Sequence, residues 1–456
     1  MRPGHRVDAV SALTLYLIVS ACIPSVLIVG PIGASGTPAN LIGAAFLMWW
    51  ILAKLGTGQG VDRRPQPVRI ALLLLFMAVL ASYVVLNLRP RLGTETLASG
   101  RGLIFLAAMS GVALLAADGI TSLARLHTLL RRVVHAAAFV ALTAVVQFFT
   151  GFNASASINV PGLVRNTLVG DHDRSLFVRA QGTATHPIEL GGLLGFVLPV
   201  AVHYALMARG RRAKVIAWAE VVTIATALIM AISRTGAVAA AIGLISLSFE
   251  WSWRRRGKAL AATFGFLVVL RGLVPGLVGT LTSSFTKINE DTSTQDRVSR
   301  YAIAGHYFRQ HPWFGRGFAT LYPATHQVFD NTWLYVATEL GVFGVVALVL
   351  FFLIMIFTAR GARMRSTELL THGAAQALVG MLVAAMITFA TADLLGFNML
   401  MGFFFLMAGA AGAMWRLTGG SSDFPPQPRR AFRSWTLAEE PEPESPRPFS
   451  AEVSPR

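Results

Sequence analysis

The chain has 456 residues, of which 54% are hydrophobic and only 13% are charged. Soluble globular domains have about 25% charged residues, so a soluble enzyme, a fibrous protein and a disordered scaffold are excluded. The formal net charge is +17, but the basic residues stand in short clusters between apolar runs. Because such clusters set the topology of membrane proteins, the charge does not indicate nucleic-acid binding, and we expect none.

Apolar runs of roughly 20 residues, each long enough to cross a bilayer as a helix, recur along the chain. We predict an all-α polytopic membrane helix bundle of about twelve transmembrane helices, which forms a domain over residues 1–418. The predicted spans are approximately 10–29, 38–55, 68–87, 100–118, 133–150, 188–208, 214–232, 235–250, 259–280, 331–357, 374–392 and 396–415. The first run has no small-residue cleavage site and is interpreted as a retained span.

The basic clusters predict the orientation of the bundle. Roughly two thirds of the Lys and Arg residues fall on the side that also holds both termini, which is the cytoplasmic side by the positive-inside rule. Residues 419–456 contain eight of the 21 prolines and predict a disordered cytoplasmic tail.

Two outward segments, about 151–187 and 281–330, are longer than a connection requires. The second is predicted to contain a short amphipathic helix that lies on the outer membrane surface or caps the bundle, between spans 9 and 10. A solvated helix without a role is the alternative. Ser293 and Thr294 are its possible caps. Its predicted apolar face consists of Val298, Tyr301, Ala302, Gly305 and Phe308.

Motifs of soluble enzymes are absent: there is no phosphate-binding Gly-rich loop and no Cys-x-x-Cys pair. The single cysteine, Cys22, excludes an intramolecular disulfide. Asp171-His172-Asp173 has metal-ligating side chains, but three adjacent residues on a loop are more typical of solvated charge. We therefore expect no metal and no cofactor.

Four arginines on the outward side are candidates for substrate binding. Arg179 precedes span 6, Arg234 stands at the turn between spans 7 and 8, and Arg297 and Arg300 belong to the external helix. Such a charge at the edge of a bundle is costly unless it is paired or meets a ligand, and no nearby acid visibly neutralises it. Because the guanidinium fork fits phosphate oxygens, the four predict an outward pocket for a lipid-linked diphosphate; snorkelling or ion pairing is the alternative for each one.

Short motifs follow one another in order over about residues 175–345. They are Ser233-Arg234-Thr-Gly-Ala, Arg297 with Tyr301 and His311-Pro-Trp-Phe-Gly-Arg-Gly-Phe, Asp330-Asn331-Thr-Trp-Leu, and Glu339-Leu-Gly-Val-Phe-Gly344. In this order they resemble the O-antigen ligase and polymerase superfamily, whose members move lipid-linked glycans on the outer face of bacterial plasma membranes. The hydropathy pattern extends the resemblance across roughly residues 1–415.

The family's ligases carry His-Asn, then nine residues, then Gly-x-x-Gly. Asn331, Gly341 and Gly344 match this spacing. In place of the His the chain has Asp330, which looks like many exopolysaccharide polymerases of the superfamily, and His326 stands one helical turn earlier. Ligase and polymerase are therefore both open alternatives.

The resemblance implies an undecaprenyl-diphosphate-linked donor, whose oligosaccharide passes to a hydroxyl of a glycan, lipid or other acceptor with inversion and without a divalent metal. It also implies the plasma (inner) membrane of a bacterium. Arg179, Arg234 and Arg297 would stabilise the charge on the leaving diphosphate. Asp330 and His326 are alternative proton acceptors.

Glu339 in span 10 is expected to hold an arginine beneath the pocket or, alternatively, to pair with Arg271. Glu220 is expected to pair with a neighbouring cytoplasmic arginine. The rival function is a multi-pass transporter or flippase of anionic lipids or solutes. Alternating access requires charge near the membrane midplane, where this sequence has little.

Overall fold

The computed structural model describes residues 8–56, 66–166, 179–277, 279–280, 282, 292–321, 326 and 328–419, and only the backbone of 292–299. These residues form an all-α bundle with one short antiparallel pairing, β1 (Leu27–Ile28) with β2 (Val164–Arg165). The helices are α1 (Ala9–Cys22), α2 (Pro38–Gly56), α3 (Pro67–Leu88), α4 (Gly93–Gly119), α5 (Leu123–Thr150), α6 (Ala154–Ser157), α7 (Pro187–Met207), α8 (Arg211–Met230), α9 (Arg234–Ser248), α10 (Trp253–Leu273), α11 (Thr292–Gln310), α12 (Thr332–Arg365), α13 (Leu369–Thr388) and α14 (Asn398–Thr418).

Every predicted span falls on one of these helices, and the predicted polytopic bundle is confirmed. Within the described residues, nine helices are long and apolar enough to cross a membrane. The other three that coincide with predicted spans are α1 and α9, which have 14 and 15 residues, and α10, which begins with an arginine run. The helices therefore fit between nine and twelve crossings.

Local sequence explains where helix ends differ from the predicted spans. The helix α5 begins ten residues before the predicted start at 133, because the Ser122 side chain accepts a hydrogen bond from the amide of Arg125 and caps the helix. The helix α1 ends at Cys22 rather than near residue 29, because a turn at Pro24 leads directly into β1.

Small residues bring α9 against α7 in the interior. A Cβ placed on Gly236 of α9 would lie 2.6 Å from the carbonyl of Gly191 of α7. Such close approach of helix backbones is typical of membrane bundles. It fixes the start of α9, and thus Arg234, beside the start of α7, which together with α14 is the most buried of the nine candidate spans.

Ion pairs connect the segments that were predicted to be cytoplasmic. We call this part of the bundle the basic end; it comprises the starts of α1, α3, α5, α8, α10 and α13 and the ends of α4, α9, α12 and α14. Its carboxylate–guanidinium pairs include Arg69–Asp118 at 2.9 Å, Arg125–Asp8 at 2.6 Å and Arg363–Glu250 at 2.7 Å. Which side of the membrane it faces stays a prediction. Among the described residues, Glu220 pairs with His135 and not with an arginine, so that prediction was wrong.

The external helix exists, but its buried face differs from the predicted one. The helix already begins at Thr292, ahead of its predicted caps. Tyr301 is 53% exposed, and Ala302 is exposed as well. The buried side, Ile303, Ala304 and Tyr307, packs on Leu321, Phe329, Leu334 and Tyr335. The helix thus caps the start of α12, and docking against protein, rather than apolar spacing alone, decides which face is buried.

The predicted tail lies outside the described residues except for Gly419, and its separation from the transmembrane domain stays a prediction.

Candidate functional site

Three segments meet at the end of the bundle opposite the basic end. They are residues 231–235 between α8 and α9, residues 330–332 at the start of α12, and residues 389–397 between α13 and α14. We call this region the motif end, because the first two segments carry motifs singled out in the sequence.

Hydrogen bonds join the three segments of the motif end. The Thr235 and Thr391 hydroxyls are 2.9 Å apart. The Thr332 hydroxyl donates to the carbonyl of Ala392 at 3.0 Å and accepts from the amide of Leu394 at 2.9 Å. The turn 389–397 therefore connects the start of α9 to the start of α12.

Arg179 is attached to the first of these segments. Its Nε and one terminal nitrogen donate to the carbonyls of Ala231 and Ile232, both at 3.1 Å. The next residue, Ser233, caps α9, and Arg234 is the first residue of that helix and half-buried. Arg179 thus holds the turn that carries Arg234.

Arg300 reaches the second segment. Its guanidinium donates to the Asp330 carboxylate at 2.6 Å. The expectation that no nearby acid neutralises the outward arginines is therefore wrong for Arg300. Of Arg297, one helical turn earlier, only the backbone is described. Asn331 caps α12 by accepting a hydrogen bond from the amide of Leu334 at 3.2 Å.

Backbone strain concentrates near these segments. Among the described residues, the non-glycine residues with positive φ are Ile232 (46°), Ala319 (56°) and Asp330 (49°). Each costs on the order of 1–3 kcal/mol and persists only where surrounding structure enforces it. Such residues cluster at functional sites, and two of these three belong to the motif end.

The Gly-x-x-Gly motif marks a break in α12. Gly341 has φ 66° and ψ −160°, a conformation essentially confined to glycine. The segment 311–317 lies against the break, where the amide of Val342 donates to the carbonyl of Pro312 at 2.8 Å. A Cβ on Gly341 would lie 2.5 Å from the carbonyl of Trp313. Gly341 therefore allows the two backbones to touch.

Gly344 has a packing role beside the same break. A Cβ on Gly344 would lie 2.0 Å from the Cβ of Leu340. Only glycine leaves room for Leu340, which is turned toward the next helical turn by the change of direction at Gly341. The spacing that carries the resemblance thus has a structural reason at both glycines.

The break also indicates where α12 leaves the membrane. The helix has 34 residues, about 51 Å at 1.5 Å per residue, whereas a bilayer core is about 30 Å thick. The stretch 342–359 is apolar apart from Thr358 and precedes Arg360. We therefore place residues 332–341 at or above the headgroup level.

Glu339 holds backbone and not a cation. Its carboxylate accepts hydrogen bonds from the amides of Ala319 and Leu321, at 2.8 and 2.9 Å. The alternative pairing with Arg271 is not found among the described contacts, and Arg271 is exposed on α10. Glu339 holds an arginine only indirectly, since the segment that it anchors also carries Arg316.

Sequence reasoning missed a second group of charges. The nearly buried Glu95 carboxylate binds Arg89 at 3.2 Å and Arg316 at 2.7 Å. The Arg316 guanidinium also lies over the Tyr307 ring, 5.1 Å from its centroid. The signal was present in His-Pro-Trp-Phe-Gly-Arg-Gly, in which Arg316 is the only cation with a permanent charge.

His326 belongs to the surroundings of this second group. The chain is not helical at 326 and 328–330, so no helical turn brings His326 toward Asp330. Its ring lies 6.2 Å from that of Tyr307. Burial and the positive charge of Arg316 lower the pKa of His326, which keeps the imidazole neutral and able to accept a proton near neutral pH.

Asp393 is a further acid that the sequence did not single out. It lies in the turn 389–397, is partly buried, and accepts hydrogen bonds from the amides of Leu395 and Gly396. Burial, with a smaller contribution from the negative charge of Asp330, raises the pKa of Asp393 to about 6. A carboxylate with such a pKa is a better proton acceptor than an ordinary Asp.

Among the described residues, no group of three or more His, Cys, Asp and Glu side chains could hold a metal ion. Asp171-His172-Asp173 lies outside them.

Comparison with known families connects this region to one of them. Residues 219–349 match the family model described as O-antigen ligase. The match runs from α8 into α12 and includes Arg234, Arg300, Asp330 and the Gly341 break, whereas Arg179 precedes it. No curated protein matches the chain. Residues 219–349 are thus similar to the O-antigen ligase family, whose members act on lipid-linked glycans, and they belong to a polytopic helix bundle of the kind that spans membranes.

Proposed function

We propose that the protein transfers an undecaprenyl-diphosphate-linked oligosaccharide or polysaccharide to an acceptor hydroxyl at the outer face of the bacterial inner membrane, with inversion and without a metal. One observation carries the proposal: Arg234, the Arg300–Asp330 pair and Asp393 belong to segments joined by hydrogen bonds at one end of the bundle. A cation that can stabilise the leaving group and carboxylates that can accept the proton of the acceptor hydroxyl are thereby held in one region.

The leaving diphosphate would meet Arg234. As the bond between the sugar carbon and the phosphate oxygen breaks, negative charge develops on the diphosphate, and a positioned guanidinium stabilises that charge most in the transition state. Because Arg234 is the first residue of α9, the helix dipole adds positive potential there. Arg179, with two nitrogens bound to backbone carbonyls, would act mainly by positioning this turn. Arg297 stays a candidate second ligand.

The acceptor oxygen forms a bond to the same sugar carbon and loses its proton. Asp330 is the first candidate to receive it, and the Arg300 ion pair would orient its carboxylate. That pair also favours the charged form of a carboxylate, which weakens it as a base. Asp393, whose pKa is raised to about 6, and the neutral His326 are therefore competing acceptors.

The segment 311–321 would cover this chemistry. Glu339 and the Gly341 break attach it to the part of α12 that we place at or above the headgroup level. A diphosphate headgroup and a polar glycan occupy the same depth, whereas the isoprenoid chain lies in the hydrocarbon. The site thus suits a donor that never leaves the bilayer.

A deletion strain tests the proposal and separates it from transport. Loss of the enzyme should leave lipid-linked donor accumulated on the outer face, where an impermeant glycosidase digests it in intact cells. Single repeats would identify a polymerase, and long unattached chains would identify a ligase. Donor that accumulates protected from the glycosidase would contradict the proposal and favour a flippase.

A further inference from the structure

A groove at the surface of the bundle lies between α1 and α5, away from the motif end. Its cavity volume is about 250 Å³, somewhat below the roughly 300 Å³ at which small-ligand clefts begin. The walls are mostly apolar and include Ile18, Ala21, Ala136 and Phe139, while Arg132 lies at one end. Ile18 is 53% and Phe139 42% exposed, so the groove opens toward the surroundings of the bundle.

The Arg132 charge is not neutralised by a carboxylate in the part of the chain that the structure describes. Its guanidinium donates to the neutral Thr14 hydroxyl at 2.7 Å. The other charges near it are engaged elsewhere. They are His135 with Glu220, Arg125 with Asp8, and Arg131 over the Tyr204 ring. A cation at the edge of the membrane without an acidic partner is costly unless a ligand meets it.

The depth of Arg132 suits a lipid phosphate. Asp8, paired with Arg125, marks the basic end, and Thr14 follows Ala9 by about 7.5 Å along α1 at 1.5 Å per residue. Each interfacial layer of a bilayer is about 5–8 Å thick. The Thr14–Arg132 pair therefore lies where headgroups meet acyl chains, and the groove continues from there toward Cys22 into the hydrocarbon.

We propose that this groove holds one acyl chain of an anionic phospholipid, whose phosphate is bound by Arg132. The lipid comes from the leaflet at the basic end, which is the predicted cytoplasmic one. Basic pockets between transmembrane helices recognise anionic headgroups in this way, and an arginine fork binds phosphate oxygens with charge-assisted hydrogen bonds. A zwitterionic headgroup would instead bring its own cation to Arg132. This site is separate from the diphosphate site, which lies at the opposite end of the bundle.

Lipid retention tests this proposal. The full chain is purified in mild detergent from vesicles containing equal amounts of phosphatidylglycerol and phosphatidylcholine, and retained lipid is measured by native mass spectrometry. The wild type should keep about one phosphatidylglycerol. Arg132→Gln should lower this retention at least about tenfold, which corresponds to about 1.4 kcal/mol of lost interaction.

Two further variants make the test specific. Ala136→Phe fills the groove without changing charge and should also lose the lipid. Arg211→Gln removes an equal charge from an exposed position at the start of α8 and should retain it. Equal retention of both lipids by the wild type, or wild-type retention of phosphatidylglycerol by a folded Arg132→Gln protein, would overturn the proposal. If the Ala136→Phe variant fails to accumulate, the result of Arg132→Gln alone decides the test.

Discussion

The two ends of the bundle use carboxylates differently. At the basic end, Asp8, Asp118 and Glu250 each bind an arginine. At the motif end and beside it, Asp330 and Glu95 also bind arginines, but two further buried acids bind backbone amides of irregular segments instead. Glu339 holds the segment 311–321, and Glu189 accepts from the amides of Thr185 and Met399 at 2.7 and 2.8 Å.

This difference teaches what each end has to maintain. An acid that binds an arginine neutralises charge and ties two helices together. An acid that binds amides satisfies buried donors of irregular backbone, which lets non-helical segments persist beside a membrane. The motif end therefore keeps an unusual backbone shape in place, and the following predictions break or sharpen this contrast.

A large effect should come from an arginine exchange at the motif end. Arg234→Lys keeps the charge but loses the planar fork that binds two phosphate oxygens. Removing one positioned transition-state donor costs about 10²–10³ in rate, so we expect transfer of lipid-linked glycan to fall by about that factor. Arg211→Lys at the basic end is the matched control and should be nearly silent. Full activity of Arg234→Lys at normal protein level would mean that the site needs only a positive charge at this position and not the planar fork.

Loss of the base should have an effect of similar size. Asp330→Asn keeps shape and hydrogen bonding but cannot accept the proton, so we expect turnover to fall about 10²–10⁴-fold while donor binding changes little. Asp393→Asn and His326→Ala, assayed in parallel, should have smaller effects. An active Asp330→Asn enzyme beside an inactive variant of either other residue would transfer the role of base to that residue. If all three stayed active, none would be the base.

Substitution of the glycine at the helix break should lower the free energy of unfolding more than substitution of a glycine elsewhere in a helix. Gly341→Ala forces a side chain into a glycine-only conformation and against the carbonyl of Trp313, and we expect a loss of about 1–3 kcal/mol in the free energy of unfolding together with reduced transfer. Gly265→Ala in α10 meets nothing within 4 Å and should be neutral or stabilise the helix by up to about 1 kcal/mol. Thermal unfolding in detergent measures both. Equal stability of the two variants would mean that α12 is not constrained at this break.

Asp393→Asn should raise stability in a pH-dependent way. Because burial raises the pKa of Asp393 to about 6, the folded state is penalised when the carboxylate is charged. That penalty is absent below the unfolded pKa of about 3.9, grows as pH rises from there to the folded pKa of about 6, and is fully present above it. Asn removes the penalty, so the gain should be on the order of 1 kcal/mol at pH 7.5 and vanish near pH 4. A gain that does not depend on pH would contradict this account.

The smallest effect should come from truncation after Gly419. A Pro-rich tail on the predicted cytoplasmic side cannot reach an external site, so transfer should persist at nearly the wild-type rate. Lost activity in a truncated protein that still inserts and accumulates would contradict the assignment of this tail.

Hydropathy was sufficient to predict the bundle, because a span needs only length and apolar composition. It could not predict the early end of α1 or the buried face of α11, which depend on neighbouring segments. The motif residues Arg234, Asp330 and Gly341 were found from their order in the chain. Asp393 was missed because it carries no motif.

Glu339 was recognised as notable but was assigned the wrong kind of partner. Sequence spacing relates a side chain to other side chains on the same helix, whereas Glu339 binds the backbone of a loop some twenty residues earlier. No pattern of residue types records such a contact. The Arg300–Asp330 pair was missed for the same reason, since its members are thirty residues apart.

The break at Gly341 divides α12 into two helical segments whose relative angle is not fixed by a continuous helix. The long segment after Gly341 is packed in the bundle, and the short segment before it begins next to Asp330. Helical hydrogen bonds are interrupted at the break, where the amides of Val342 and Phe343 donate to the segment 311–317 instead. The angle of the short segment is therefore set by its contacts with 311–317. The position of the Asp330 carboxylate therefore depends on the length of the segment 311–317. Adding or removing one residue there would move the carboxylate without any change in the membrane-spanning part.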